Sequence, residues 1–478
     1  MAETLKEKTA KGLFWGALNN GMTQVLNLVL GIVLARNLTP ADYGIVGVLT
    51  IFSAVASMLQ SSGLGTGLIN MKQPTDNDYN SVFWFNILVS LSLYIILFLC
   101  APLMALFFHQ PCLTVVSRVL FLTLPLSALG LTSGTYLTKN MMNREIAVIA
   151  VSSLILSGAV GILMAISGYS YWSLVGFQLT YAVCVLIGRF YYVRWLPKLK
   201  VDFTPVKKMF SFCVKLLVTN IVQVINFHVL TFIFGRILPI ETVGYYSQAN
   251  KWNNMAKTTI ADAIGQIAQP VLVSISDEHA RETRVFHKLM RFTAFLSFPA
   301  LFGLAMVSHE FILVTIGEKW RESIPLLQIL CAGGAFMPFY VLYQNVAITS
   351  GRSDVYMWCN IGQMVVQLVL VVLLRKEGVE AIVWAISLFT ILWLGVWHLL
   401  THNLVRIRFI DVLKDIVPFL GVSLLVMVAT YFVTLPITSL PLLLAARILM
   451  AAVLYAGVMK LLQAKVMEEC IDFIRKKR

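Results

Sequence analysis

Apolar runs, each broken from the next by a short polar stretch, follow one another along the chain from about residue 13 to residue 463. A helix needs about 20 apolar residues to cross a hydrocarbon core, and the runs number about 14. The predicted spans are 13–36, 43–69, 82–107, 115–137, 146–167, 172–193, 212–236, 243–273, 289–315, 324–348, 355–375, 379–401, 412–434 and 440–463. No loop between them exceeds roughly 20 residues, which leaves no room for a soluble catalytic domain. The expected fold is an all-α polytopic membrane protein.

One motif occurs twice. ARNLTPADYG, Ala35 to Gly44, closes the first run, and GRILPIETVG, Gly235 to Gly244, closes the seventh. The same offset of 200 pairs Asn20 with Asn220, Arg36 with Arg236, Leu38 with Leu238, Gly44 with Gly244 and Gly65 with Gly265. Shared offsets of this kind mark a duplicated unit. Six spans separate the copies, so both halves enter the membrane in the same direction, as a parallel repeat does. The predicted organisation is a six-helix bundle over 1–193, a basic cytoplasmic linker over 194–211, a second six-helix bundle over 212–401, and two extra helices with a basic tail over 402–478. Two such bundles would enclose a central cavity that opens alternately to either side.

The polar residues inside the spans are the candidate chemistry. Asn20, Gln24 and Asn27 share one face of the first helix; Thr219, Gln223 and Asn226, with Asn220 beside them, lie similarly on the seventh. Buried amides need partners, so these faces meet either another helix or a hydrated cavity. The eighth run is the most polar: Lys251, Asn254, Thr258 and Asp262 form one stripe, and Asn250, Asn253 and Lys257 an adjoining one. A lysine near mid-membrane costs at least about 2.5 kcal/mol, and an anionic ligand such as a phosphate would justify two of them. The alternative is that Lys251 snorkels to the interface and Lys257 pairs with Asp262. Asp262 is thus a candidate for ion coupling or for a salt bridge. Arg36 and Arg236, at the ends of their helices, are candidates for helix capping or an outer gate. GLGTG, Gly63 to Gly67, has no strand before it and reads as close helix packing rather than a dinucleotide loop.

Composition agrees with the pattern. The chain is 58% hydrophobic and 13% charged, with mean hydropathy +0.81. The net charge of +14 is scattered in short clusters, which argues against a nucleic-acid surface. With both termini cytoplasmic, about 24 Lys and Arg fall on the cytoplasmic side and about 7 opposite. The apolar run after the polar N-terminus lacks a cleavage site, so no processing is expected. The linker Val193 to Lys208 would lie on an anionic leaflet. The seven cysteines form no CxxC pair, and no disulfide, metal or cofactor is expected. No HExxH, nucleophile elbow or P-loop occurs, so the chain does not read as an enzyme.

The runs LARNLTPADYGIVGV, SSGLGTGLIN, DYNSVFWFN and LCAPLMALFF, followed by YWSLV, RWLPKL, GYYSQANK, GEKW and GRSD, resemble the polysaccharide exporter family that includes colanic-acid-type flippases. That family belongs to the multidrug/oligosaccharidyl-lipid/polysaccharide flippase superfamily, and the similarity extends over nearly the whole chain. The resemblance implies an inner-membrane flippase that carries an undecaprenyl-pyrophosphate-linked oligosaccharide to the outer leaflet, with membrane lipids around it. It also implies coupling to a proton or sodium gradient and a polysaccharide polymerase as a partner. The family's pattern has a basic residue where Gln248 stands. The physical reading and the resemblance together assign Lys251 and Lys257 to the pyrophosphate, and the amides of the first and seventh helices to the sugars. The rival readings are a drug/cation antiporter of the same superfamily, which would need acidic cavity residues, and a membrane glycosyltransferase or polymerase, which would need a larger external loop.

Overall fold

A computed structural model describes residues 5–61, 63–199, 202–274, 279–405, 407–463 and 467. Arg406, the tail at 475–478 and the Thr219 side chain lie outside that description. The described chain is helical: α1 (Leu5–Asn37), α2 (Pro40–Ser61), α3 (Leu64–Asn70), α4 (Asp76–Phe108), α5 (Leu113–Leu120), α6 (Thr123–Lys139), α7 (Asn143–Ile166), α8 (Trp172–Val193), α9 (Thr204–Ile237), α10 (Ile240–Ser274), α11 (His279–Thr315), α12 (Ser323–Gly334), α13 (Met337–Thr349), α14 (Ser353–Leu374), α15 (Val379–Val405), α16 (Phe409–Thr434) and α17 (Leu440–Leu461). Among the described residues, 13 segments are long and apolar enough to cross a membrane. The fourteenth long helix, α10, falls short on hydropathy because of the polar residues noted above.

Local sequence explains the turns. Thr39 accepts from the Asp42 amide and Asp42 accepts from the Thr39 amide at 2.7 Å, a capping box with Pro40 at the first helical position. Thr75 and Asp78 repeat the device at the start of α4. Three predicted spans are broken. The second breaks between α2 and α3, where Gly63 takes φ +68°. Beyond it Gly65 packs close to Thr135 of α6, so the GLGTG motif does serve helix packing. The fourth breaks at Phe121 and Leu122, and the Thr123 hydroxyl donates to the Leu120 carbonyl at 2.8 Å. The tenth breaks at Ala335 and Phe336, with Pro338 opening α13; the Ala335 carbonyl accepts from the Ser297 hydroxyl of α11 at 2.6 Å. The fourth and tenth spans, which match in position in the expected six-helix repeats, are thus both interrupted.

By packing, the chain divides into two compact units, Met1–Gly244 and Tyr245–Arg478. In the first, α1 lies on α7, where Leu30 fills the space above Gly158, and α6 packs on α4 and α8. Helix α9 packs on α2 and α4: Phe232 stacks on Phe107 at 5.5 Å, and Gly235 admits Val48. Sequence kinship therefore groups α9 with the second repeat, whereas its packing places it in the first unit. The linker is shorter than 194–211, because α9 begins at Thr204. It is also fixed to the start of α4: Trp84 donates to the Lys198 carbonyl at 2.8 Å, the Lys198 amide donates to Asn80 at 2.8 Å, and Lys198 pairs with Asp76 at 3.2 Å.

The two copies of the duplicated motif meet. A Cβ added to Gly44 would lie 2.0 Å from the Ile240 carbonyl oxygen, and one added to Gly244 would lie 1.8 Å from the Pro40 carbonyl oxygen. Pro40 and Ile240 are themselves equivalent under the offset of 200. The contact is therefore reciprocal, backbone against backbone, between the first turns of α2 and α10.

In the second unit α11 is a spine for α12, α16 and α17, while α15 packs on α12, α13 and α14. Helices α16 and α17 are held to α11 at three levels. Asp415, 3% exposed, receives Arg291 at 2.6 Å and also contacts His287. Tyr455 donates to the Phe295 carbonyl at 3.0 Å. At the far end Arg447 pairs with Glu310 at 2.8 Å, both 5% exposed, donates to Thr434 and lies 4.7 Å over the Tyr431 ring.

Candidate functional site

The amide faces of α1 and α9 point away from the helices that support them. On α1 the residues against α7 are Trp15, Leu18, Asn19 and Met22, which line a crevice with that helix. At 100° per residue, Asn20, Gln24 and Asn27 fall on the opposite side. On α9 the packed face carries Phe232 and Gly235, and Asn220, Gln223 and Asn226 again lie opposite. Asn20 and Gln223 are exposed, and the other four are half-buried. An amide turned towards lipid tails would be unsatisfied, so these faces suit a hydrated surface.

Helix α10 carries the candidate cations in the second unit. Lys251 is half-buried, its Nζ lies 5.4 Å from the centroid of the Trp252 ring, and among the described residues it forms no ion pair. Lys257 is also half-buried, beside Cys331 of α12. Asn250 and Asn254 are half-buried, and the Asn254 carbonyl accepts from the Thr258 hydroxyl at 2.7 Å. Asp262 is exposed and, among the described residues, has no ion pair, so the structure does not form the Lys257 salt bridge weighed above.

The most telling feature of α10 is a set of buried polar atoms without partners. Ser247, Gln248, Trp252, Asn253 and Asn254 each hold at least one such atom, spread around the helix. Gln248 is 0% exposed, and both ends of its carboxamide are unpaired. Each group of this kind costs about 1–3 kcal/mol if left dry, and native interiors tolerate only a few. Their concentration on eight successive positions calls for water or a hydroxyl-rich ligand. Asn253 is seated by Gly334 of α12, where a Cβ would lie 2.4 Å from its Oδ1.

Arg236 has a role other than closing its own helix. Its guanidinium donates to the Phe107 carbonyl at 2.8 Å, contacts the His109 ring at 2.8 Å and lies 5.1 Å over the Phe107 ring. It caps the end of α4 and ties that end to α9, a capping function as expected but on a neighbour. Arg36 is exposed at the end of α1.

Sequence reasoning missed two polar groups. Asn360, Gln363 and Gln367 form a buried amide face on α14, at spacings of three and four that are open to detection. Arg189, which by position groups with the cations of the linker, stands within α8. Among the described residues no group of three or more His, Cys, Asp or Glu could hold a metal ion.

These observations define a multi-pass helical membrane protein that carries amide and lysine side chains within several of its spans. The chain belongs to the family described as polysaccharide biosynthesis protein, whose pattern matches residues 33–325. It is 24% identical to the lipopolysaccharide biosynthesis protein WzxC of Escherichia coli, over 75% of this chain and 73% of that one. It is 24% identical to the succinoglycan biosynthesis transport protein ExoT of Rhizobium meliloti, over 80% and 78%. Among solved structures, the lipid II flippase MurJ in an inward closed conformation aligns with 94% of this chain and 99% of its own at TM-score 0.73 and 15% identity. An inward-facing multidrug resistance transporter of the MOP superfamily aligns with 80% and 94% at TM-score 0.64 and 12% identity. Both share the fold.

Proposed function

We propose that this protein is a flippase for a lipid-linked oligosaccharide, moving an undecaprenyl-pyrophosphate-linked glycan from the inner to the outer leaflet of the cytoplasmic membrane by alternating access. The observation that carries the reading is α10, a membrane-length helix with two half-buried lysines and five side chains holding unpaired buried polar atoms. Phosphate oxygens would meet the ammonium groups, and sugar hydroxyls both donate to and accept from carboxamides. The amide faces of α1 and α9 add further sugar partners. Both termini are assigned to the cytoplasm, a proton or sodium gradient to coupling, and a polysaccharide polymerase to the role of downstream partner. The family membership and the transport protein among the relatives support this reading.

The antiporter alternative gains little from the second unit. Of its buried carboxylates Glu282, Glu310 and Asp415, the last two are already paired with arginines. The test is leaflet transfer of a fluorescent pyrophosphate-linked oligosaccharide lipid in proteoliposomes, with and without a proton or sodium gradient. Wild-type protein should accelerate transfer over empty vesicles, and K251Q/K257Q should abolish most of the gain at equal protein level. Transfer by the double variant at the wild-type rate would refute the role of α10.

A further inference from the structure

In the first unit α2, α6 and α8 surround a cavity of about 460 Å³, within the range of small-molecule sites. Its wall carries Ser53 and Ser57 of α2, Thr123 and Ser127 of α6, and Gln178 and Arg189 of α8. Thr123 stands just after the break in the fourth span, the kind of interruption that marks ligand sites in transporters. The Ser53 hydroxyl is buried and has no hydrogen-bond partner.

Arg189 gives the cavity its charge. It lies four residues before the end of α8, is half-buried, and donates through Nη1 to the Gly130 carbonyl at 3.2 Å. That bond uses one of its five N–H groups, and among the described residues it has no ion pair. Two glycines make the seat: a Cβ at Gly134 would lie 2.8 Å from the Arg189 Cζ, and one at Gly130 would lie 3.4 Å from its Cδ. A cation inside a membrane-spanning helix is costly without a counter-charge, and no carboxylate lines this cavity.

We propose that this cavity is a second anion site, separate from α10, that receives a phosphate group on the fork of Arg189. The planar guanidinium matches two phosphate oxygens at once, and the hydroxyls of Ser53, Ser57, Thr123 and Ser127 supply further donors. The apolar part of the wall, with Leu186 and Val185, suits the start of a lipid chain. The site rests on the flippase reading only in the choice of one probe.

The full-length protein in zwitterionic nanodiscs would be titrated with a polyprenyl pyrophosphate, with phosphatidylglycerol and with inorganic pyrophosphate. The K251Q/K257Q background removes the α10 contribution. There, R189Q should weaken binding at least about tenfold. R189K, which keeps the charge but loses the fork, and G134A, which keeps the arginine but displaces it, should each weaken binding several-fold and serve if R189Q fails to fold. Arginine-dependent binding of any probe supports the site, and the pattern identifies the source as carrier lipid, bulk anionic lipid or soluble anion. Unchanged affinity for all three probes in every folded Arg189 and Gly134 variant overturns it. Failed leaflet transfer with Arg189-dependent binding intact would count against the flippase reading and leave this site standing.

Discussion

The reciprocal contact of Gly44 and Gly244 makes a sharp prediction for alanine. A methyl at Gly44 would sit 2.0 Å from the Ile240 oxygen, and one at Gly244 would sit 1.8 Å from the Pro40 oxygen. A close carbon-to-oxygen approach needs about 3.3 Å, so the two helix starts must part by about 1.3–1.5 Å. Both obstacles are backbone, and no rotamer change can relieve them. The neighbours Ile45, Val46, Val48 and Val243 are buried, so parting the helices loosens their packing as well. Overpacking of this kind costs about 1–3 kcal/mol. G44A and G244A should each lower the melting temperature of the detergent-purified protein by several degrees. One displacement relieves both clashes, so the double variant should cost about as much as the worse single, leaving a coupling term of about 1–3 kcal/mol. A Cβ added to Gly21 of α1 would meet nothing within 4 Å, and G21A should be neutral or stabilising by up to about 1 kcal/mol. Singles that melt with the wild type, or a double whose loss equals the sum of the singles, would refute the reciprocal contact.

Two further predictions concern how α16 and α17 are attached. Asp415→Asn should destabilise the protein by about 1–3 kcal/mol, because it weakens the hydrogen bonds to Arg291 and His287 while Arg291, half exposed, stays solvated; faster proteolysis after α15 in the folded variant would report the loosened helices. Arg447→Met alone should cost about 3–5 kcal/mol by leaving Glu310 buried with only His309 beside it at 3.4 Å, whereas E310L/R447M should recover most of the loss in a melting experiment.

The sequence conveys the number and extent of the long helices well, because a bilayer imposes one length on each apolar run. The eighth span, predicted as 243–273, is Ile240–Ser274, although its hydropathy alone would hide it. What the sequence does not convey depends on the third dimension. An unbroken apolar run looks the same whether its backbone continues or stops, so the interruptions at Gly63, at Phe121 and Leu122, and at Ala335 and Phe336 leave no mark in the hydropathy pattern. Arg281, Arg284 and Lys288, which precede the predicted span 289–315 and read as a loop, are already part of α11. Arg189 is misleading because a cation near a predicted helix end looks like a loop cation. Only the seat at Gly130 and Gly134, on another helix, shows otherwise. Arg236 reads as a cap for its own helix, yet its partner Phe107 lies 129 residues away. The shared glycines, in contrast, are visible from spacing alone, and the approach of Gly44 to Ile240 and of Gly244 to Pro40 gives them a physical reason.

The attachment of α16 and α17 to α11 has a mechanical consequence. Their outer surface carries Leu425, Phe432, Leu449 and Val453, all exposed and apolar, and they touch α15 only lightly compared with α11. The pair therefore behaves as a keel bolted to one rib: whenever α11 tilts, both helices must sweep through the surrounding lipid with it. The viscosity and thickness of the host membrane then become part of the load that any motion of α11 works against.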